Sequence, residues 1–433
     1  MSHRTATIRW ALAGLAVATA AAVPAQAQQS AGTVKLGIVS FLTGPAAAPF
    51  GIPGRNGAEI VIEALNAGKG PAPFNKPGFG GTKLEAKYVD ESGSAANNVT
   101  EFRNLVQRDN VDAVVGYVSS GNCLAVAPVA DELKALTVFY DCGTPRIFEE
   151  KPRTHVFRVS PTATMDNVGA ALYVKAKMSD LKVFSGINQN YAWGQDSWRD
   201  FVGAMKVLMP EAKTDKVLFP KLFAGEYGAE VSTLLTSNSK ILHTSFFDGD
   251  LEAFVYQSTA RGLDKRMTTI MTTGEAAMVR LKDKLPNGTI IGARGLNGPL
   301  ADNTPIAKWF NDIYEERYNT PPTYPAYQMA QSILGLKIAY EKAMKDGKPS
   351  TDAIAAAFKG IEYTGPAGHV KMALGDGHQG ITGTAYGTYK WNAQTRQPEI
   401  VDVIRFAAEC VNPPAKVDST AWLEGGMKGA KCN

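Results

Sequence analysis

VDAVVGYVSSGNCLAVAPVAD, residues 111–131, decides how the chain is read. Residues 111–116 form a nearly unbroken apolar run of strand length, the pattern of a strand buried on both faces of a parallel sheet. Ser119, Ser120 and Gly121 then supply a small polar loop, and apolar residues spaced through 123–133 predict a helix. A further apolar run, residues 136–140, follows at once. Strand, loop, helix and strand in this order predict a βαβ unit.

The same order extends in both directions. Upstream, residues 34–39 and 84–89 read as strands, and 57–65 and 97–108 as helices, the latter carrying Val99, Phe102, Leu105 and Val106 on one face. Residues 67–81 are rich in Gly and Pro, lack any period and predict a surface insertion. Downstream, residues 156–160 read as a crossing strand, after which the pattern restarts. Helices are expected at 166–177 and 195–208, with strands at 181–187, 241–247 and 268–271. Residues 292–296 read as a return crossing and precede long helices at 305–318 and 324–345. The tail changes character: 368–372, 383–391 and 398–406 resemble antiparallel strands with Gly- and Asp-rich loops. The fold class is therefore α/β, in two successive halves.

The first residues set the compartment. Arg4 and Arg9 precede an uncharged apolar run, residues 10–23, and Ala25-Gln26-Ala27 fits a leader-peptidase site, so residues 1–27 read as a signal peptide and the mature chain as periplasmic. The apolar run is too short for a permanent anchor. Losing Arg4 and Arg9 lowers the formal charge from +4 to +2, and no Lys/Arg block is present, so nucleic acid is not an implied partner. The 433-residue length exceeds one ordinary core. Four cysteines in an exported chain predict disulfides; proximity in sequence favours Cys123–Cys142 and Cys410–Cys432. No CxxC or neighbouring His suggests a metal, and no cofactor is expected.

Enzyme signatures are missing. Residues 118–121 have the wrong frame for a GxSxG elbow, Gly78-Phe79-Gly80-Gly81 fails the dinucleotide fingerprint, and the histidines are scattered without HExxH or HxH. Binding chemistry is better represented. Ligands of open α/β sheets sit beyond the carboxyl ends of the strands. Three loops there are small and polar: residues 42–45, 117–121 and 141–145. Ser119, Ser120 and Thr144 offer hydroxyls, and each loop precedes a helix whose free N–H groups favour an anion. Plain N-capping would use the same residues. Neighbouring strands would bring Cys123 and Cys142 together beside this cradle.

At this point a resemblance enters. Residues 34–57 (VKLGIVSFLTGPAAAPFGIPGRNG) and 111–131, together with 156–161, 190–194 (NYAWG) and 358–368, resemble the type I periplasmic solute-binding proteins of ABC transporters, the leucine/isoleucine/valine-binding family. The resemblance implies two Rossmann-like lobes joined by three hinge crossings that close on a ligand. It divides the chain into lobe 1 (28–159 with 293–365), lobe 2 (160–292 with 366–409) and a tail (410–433). It implies that Ser119 and Ser120 hold a ligand carboxylate, with Cys142, through its backbone, and Thr144 in a second carboxylate loop. Phe50 and Phe247 would wall the pocket, Trp193 would pack on the ligand from lobe 2, and Glu275 would pair with a ligand ammonium. The loop at 141–144 departs from the family's Ser-x-Gly-Ala-Thr form, and Phe247 lacks the hydroxyl of the usual Tyr. Phe246 and Phe247 with Trp193 suit a bulky or aromatic ligand, although for Phe246 core packing is the favoured role.

The implied function is a monomeric receptor that hands a small carboxylate, an amino acid first of all, to a membrane permease and does no chemistry on it. Glu275 divides the ligand classes. Facing the cleft with Asp248 nearby, it favours an α-amino acid, since a buried ammonium needs a partner; facing solvent, it leaves an aromatic or aliphatic acid without an amine equally suited. A ligand sensor and a periplasmic hydrolase are the competing classes. The hydrolase needs a His within reach of Ser119 or Ser120.

Overall fold

The computed structural model describes residues 1–3 and 32–432, and the fold is that of residues 33–432. The expected leader lies outside the described residues apart from its first three. Among the described residues fifteen strands form two sheets. The first contains β1 (Val34–Ser40), β2 (Leu84–Asp90), β3 (Ala113–Gly116), β4 (Thr137–Phe139) and β5 (Val156–Arg158). The second contains β6 (Val183–Ile187), β7 (Lys213–Leu218), β8 (Ile241–Thr244), β9 (Thr268–Met271) and β10 (Ile290–Gly292). The chain then returns to the first sheet for β11 (Glu362–Gly365), β12 (Gly368–Leu374) and β13 (Gln379–Ile381), and ends in the second with β14 (Thr384–Asn392) and β15 (Gln397–Phe406). The strand orders are β11-β12-β13-β5-β4-β3-β1-β2 and β15-β14-β10-β9-β8-β6-β7.

β1 to β5 pair in parallel, as do β6 to β10, and the inner strands are covered on both faces: every residue of β3, β4, β5 and β8 is buried. Local signals begin the helices. Ser94 accepts a hydrogen bond from Asn97 N–H at 3.2 Å to open the helix Ala95–Gln107, and Thr162 does the same for Met165 N–H at 3.2 Å to open Ala163–Lys177.

Three crossings join the lobes, after β5, after β10 and after β13. The third corrects the boundary read at 365/366. Residues 366–381 stay in the first lobe, where β12 pairs antiparallel with β11 and β13, and Val370 and Met372 enter the first core. The crossing falls between Ile381 and Thr384, and only β14 and β15 form the expected second-lobe hairpin. The Gly365–Gly368 turn, with Gly368 at φ +90°, reverses the strand within one sheet. A Gly-rich break looks the same in sequence whether the chain reverses or leaves.

The tail is not separate. Cys410, Val411, Trp422, Leu423 and Met427 join the second-lobe core beside Trp198 and Phe201. The 67–81 insertion is likewise anchored: Phe74 and Phe79 are buried, and the buried Lys337 ammonium donates to the carbonyls of Lys76 (3.0 Å) and Gly78 (2.5 Å) and to Glu341 (2.5 Å). β7, largely exposed at the edge of its sheet, escaped the sequence reading because it lacks an apolar run. Both expected disulfides form, with Cα separations of 6.5 Å for Cys123–Cys142 and 4.6 Å for Cys410–Cys432.

Candidate functional site

The helix Ser120–Glu132 starts directly at the serine loop, so its free N–H groups face the carboxyl end of the first sheet. The loop is held from below by Glu91, whose carboxylate accepts from Val118 N–H (2.7 Å), Ser119 N–H (2.8 Å) and the Asn122 amide (3.0 Å). Burial pushes Glu91 up to about 7 while these donors pull it back. The Ser120 hydroxyl oxygen accepts from Gly143 N–H and Thr144 N–H, both at 3.2 Å, which ties the two strand-end loops together beside the Cys123–Cys142 bridge. Its own O–H proton is left to donate.

These loops open on a hollow where the lobes meet. The first lobe contributes Phe50, Val118, Ser120, Asp141, Gly143 and Tyr324. The second contributes Tyr191, Trp193, Phe247 and Thr273, and Arg294 enters from the second crossing. Phe50 meets Phe247 edge to face at 5.3 Å and Tyr324 at 5.4 Å, so the aromatic wall spans both lobes. Trp193 is fixed by its indole N–H, which donates to Ser245 O at 2.8 Å.

Arg294 is the charged centre. It donates to the backbone and side chain of Asp141, to Asp166 at 3.1 Å and to Pro161 O at 2.9 Å, and it holds a left-handed φ of +46°. Burial raises both aspartates above the ordinary carboxylate range and Arg294 draws them back; the two acids in turn keep the guanidinium charged despite its burial.

Of the expected site residues, Phe50, Ser120, Trp193 and Phe247 line the hollow. Four do not. Ser119 N–H is committed to Glu91, and its side chain makes no capping bond. Cys142 is in the disulfide, and its carbonyl accepts from Arg158 at 2.6 Å. Thr144 turns its hydroxyl to the buried Asp196 of the second lobe at 2.6 Å, a stronger acceptor than a neutral pocket wall. Glu275 faces neither ligand hollow nor solvent: it is buried and accepts from Tyr324 N–H at 2.9 Å, where the helix Tyr324–Ala343 begins. The free N–H groups and dipole of a helix start attract a carboxylate. Burial nevertheless pushes Glu275 up to about 8. The Asp248 side chain lies outside the described residues. Phe246 belongs to the core, packed on Tyr227 at 5.0 Å and Phe254 at 5.7 Å.

Asp141, Tyr191, Thr273, Arg294 and Tyr324 were not singled out from sequence. Asp141 and Tyr191 stood beside residues that were, so only the offset hid them. Arg294 sat inside a segment read as a crossing, and nothing local marks a crossing residue as a pocket residue. Among the described residues no cluster of His, Cys, Asp or Glu could hold a metal, and no helix is long and apolar enough to cross a membrane.

The fold has close structural relatives at low sequence identity. A solute-binding protein of an ABC transporter from Rhodopseudomonas palustris BisB5, in complex with 3,4-dihydroxybenzoic acid, superposes with a TM-score of 0.74 at 19% identity, covering 87% of this chain and 98% of that one. A leucine-binding protein from Thermotoga maritima MSB8 gives 0.71 at 20% identity, over 86% and 99% of the two chains. A branched-chain amino acid transporter substrate-binding protein from Streptococcus pneumoniae, in complex with isoleucine, gives 0.72 at 17% identity, over 86% and 99%. No curated protein matches the chain in sequence. The family model described as "Periplasmic binding protein" matches residues 33–395, which span both lobes and all three crossings: the chain belongs to the periplasmic binding protein family.

Proposed function

We propose that the protein is the extracytoplasmic solute receptor of an ABC importer, that it captures a small carboxylate between its lobes, and that it passes the ligand unaltered to a membrane permease. The carrying observation is the hollow shared by both lobes, where Ser120, Asp141 and Arg294 make a polar part of the wall and aromatic residues of both lobes make the rest. On the polar side the Ser120 proton, the start of the helix Ser120–Glu132 and the Arg294 guanidinium offer donors to a carboxylate. On the other side Trp193, Phe247 and Tyr191 offer apolar faces to its body. Export through the leader at residues 1–27, a periplasmic location and action as a monomer belong to this reading. Thermal-shift screening against amino acids, their amides and aromatic acids tests it, because a ligand bound only by the folded form raises its apparent stability. Absence of stabilisation by every carboxylate in the panel overturns it.

A specific observation favours an amine-free carboxylate over an α-amino acid within this reading. Glu275, the acid expected to meet an ammonium, is committed to the helix start at Tyr324. Asp141, which does line the hollow, is committed to Arg294. The aromatic walls suit a flat ring, and solute-binding proteins of similar fold hold 3,4-dihydroxybenzoic acid and 4-hydroxybenzoate. Calorimetry with benzoate against phenylalanine separates the classes: tighter binding of benzoate is expected, and tighter phenylalanine binding reverses the preference.

A further inference from the structure

A second hollow lies away from the ligand hollow, where the first-lobe loop after β4, the strand β13 and the C-terminal tail come together. Its wall includes Phe148, Glu149, Arg158, Gln379, Lys416 and Ser419. Arg158 is the notable member. It is completely buried, yet among the described residues it forms no ion pair. Its Nε donates to Gln379 at 2.5 Å, and its Nη1 donates to the carbonyls of Cys142 at 2.6 Å and Thr144 at 2.8 Å. Its Nη2 has no hydrogen-bond partner. Of the wall acids, Glu149 accepts from Ser419 N–H at 3.0 Å and Ser419 Oγ at 2.6 Å. Asp376 is paired with Lys359 at 2.9 Å.

The Arg158 guanidinium is hydrogen-bonded only to neutral oxygens and lies over the Phe148 ring at 5.4 Å, with no carboxylate bonded to it among the described residues, and a buried donor without an acceptor is costly. Burial accordingly pulls Arg158 down to about 9. With Nε and Nη1 taken, only Nη2 lacks a partner, so a two-pronged carboxylate or phosphate clamp is not available. Glu149, Asp376 and Asp418 around the hollow disfavour a doubly charged ligand, while exposed Lys416 at its rim favours entry of a single negative charge.

We propose that Arg158 Nη2 is the seat of a second binding site, distinct from the interlobe ligand site, for a small monovalent anion: a halide or the carboxylate of a small acid. The anion completes the coordination of a cation that also grips the Cys142 and Thr144 carbonyls, and so bears on the loop whose Gly143 borders the ligand hollow.

The test uses the full folded protein without cleft ligand. Its melting temperature is titrated with sodium chloride, sodium acetate and sodium sulfate at matched ionic strength, and crystals are soaked in sodium bromide for anomalous scattering. The expected result is a saturable rise in melting temperature with chloride, none of that form with sulfate, and a bromide peak within hydrogen-bond distance of Arg158 Nη2. A saturable rise with acetate as well extends the site to carboxylates. Lys416→Asp reverses charge at the rim without touching the bonds of Arg158, and Asp tolerates the positive φ of 65° found there. It is expected to weaken the chloride midpoint at least tenfold. Responses that rise without saturation and alike for all three salts overturn the proposal. So does a bromide peak unaccompanied by any saturable response, which marks an adventitious ion only, and so does an unchanged midpoint in Lys416→Asp.

Discussion

The indole of Trp193, from the second lobe, lies over the guanidinium of Arg294 with 4.5 Å between the ring centre and Cζ. The stacking and the bonds to Asp141 and Asp166 make one cation common to both lobes and the crossing. Arg294→Met leaves two buried acids without a counter-charge, and removal of one partner from a buried pair costs about 3–5 kcal/mol. Urea unfolding at pH 7 is expected to show a loss of that order, with part of it recovered at pH 5, where the aspartates neutralise. A loss that does not depend on pH contradicts the pairing.

The two loop serines are not equivalent. Ser120→Ala orphans Gly143 N–H and Thr144 N–H and removes the free hydroxyl proton, so carboxylate binding is expected to weaken by about 1–3 kcal/mol. Ser119→Ala removes a hydroxyl that makes no capping bond and is expected to stay within about 0.5 kcal/mol. Calorimetry on the two single variants decides the matter, and equal losses would return Ser119 to the site.

Glu275→Gln keeps an oxygen for Tyr324 N–H. The ratio of affinities for matched carboxylates with and without an amine is expected to be unchanged within about twofold, a difference below 1 kcal/mol. A selective loss for the amine-bearing ligand would show that Glu275 reaches the ligand after all.

Buried acids also set a pH dependence. Glu91 and Glu275 have folded values of about 7 and about 8, above their ordinary 4.5. The folded protein therefore holds these protons more tightly than the unfolded chain. The associated stability is fully present below pH 4.5 and is lost as pH rises through 7 and 8. Unfolding free energies at pH 5.5 and 8.5 are expected to differ less in Glu275→Gln than in the parent, by an amount on the order of 2 kcal/mol. An identical pH slope in both proteins rules out Glu275 as a contributor.

The Cys123–Cys142 bridge spans 19 residues of sequence. On the chain-entropy account, replacing both cysteines with Ala costs about 3 kcal/mol. Chemical denaturation measures this, and ligand affinity measured alongside reports whether the two strand-end loops lose their alignment.

Much of the architecture was legible because it is local. The alternation of strands and helices from residue 34 to residue 140 follows from apolar runs and helical spacing, and the disulfides follow from a count of four with two short separations. Ser120 follows from its place in a strand-end loop, and Phe50, Trp193 and Phe247 were found through the likeness to the family. What stayed hidden is non-local. Thr144 carries its donor plainly in the sequence, but nothing nearby says that Asp196, 52 residues on, will accept it. Glu275 is visibly an acid at a helix start, yet its partner is the start of another helix, at Tyr324. Arg294 and Asp166 are 128 residues apart. The third crossing was misplaced for a different reason, since a turn rich in Gly records a change of direction and not its destination.

The position of β13 has a kinetic consequence. Gln379 pairs with Arg158 across a gap that contains the whole parallel part of the second sheet. The β5 edge is thus bare until more than 220 further residues have been synthesised, and neither half of the molecule corresponds to one continuous stretch of chain. A nascent polypeptide of this kind must stay incomplete, with an open strand edge, for most of its synthesis, which defers cooperative folding to its final stages and leaves a long interval in which holding factors can engage it.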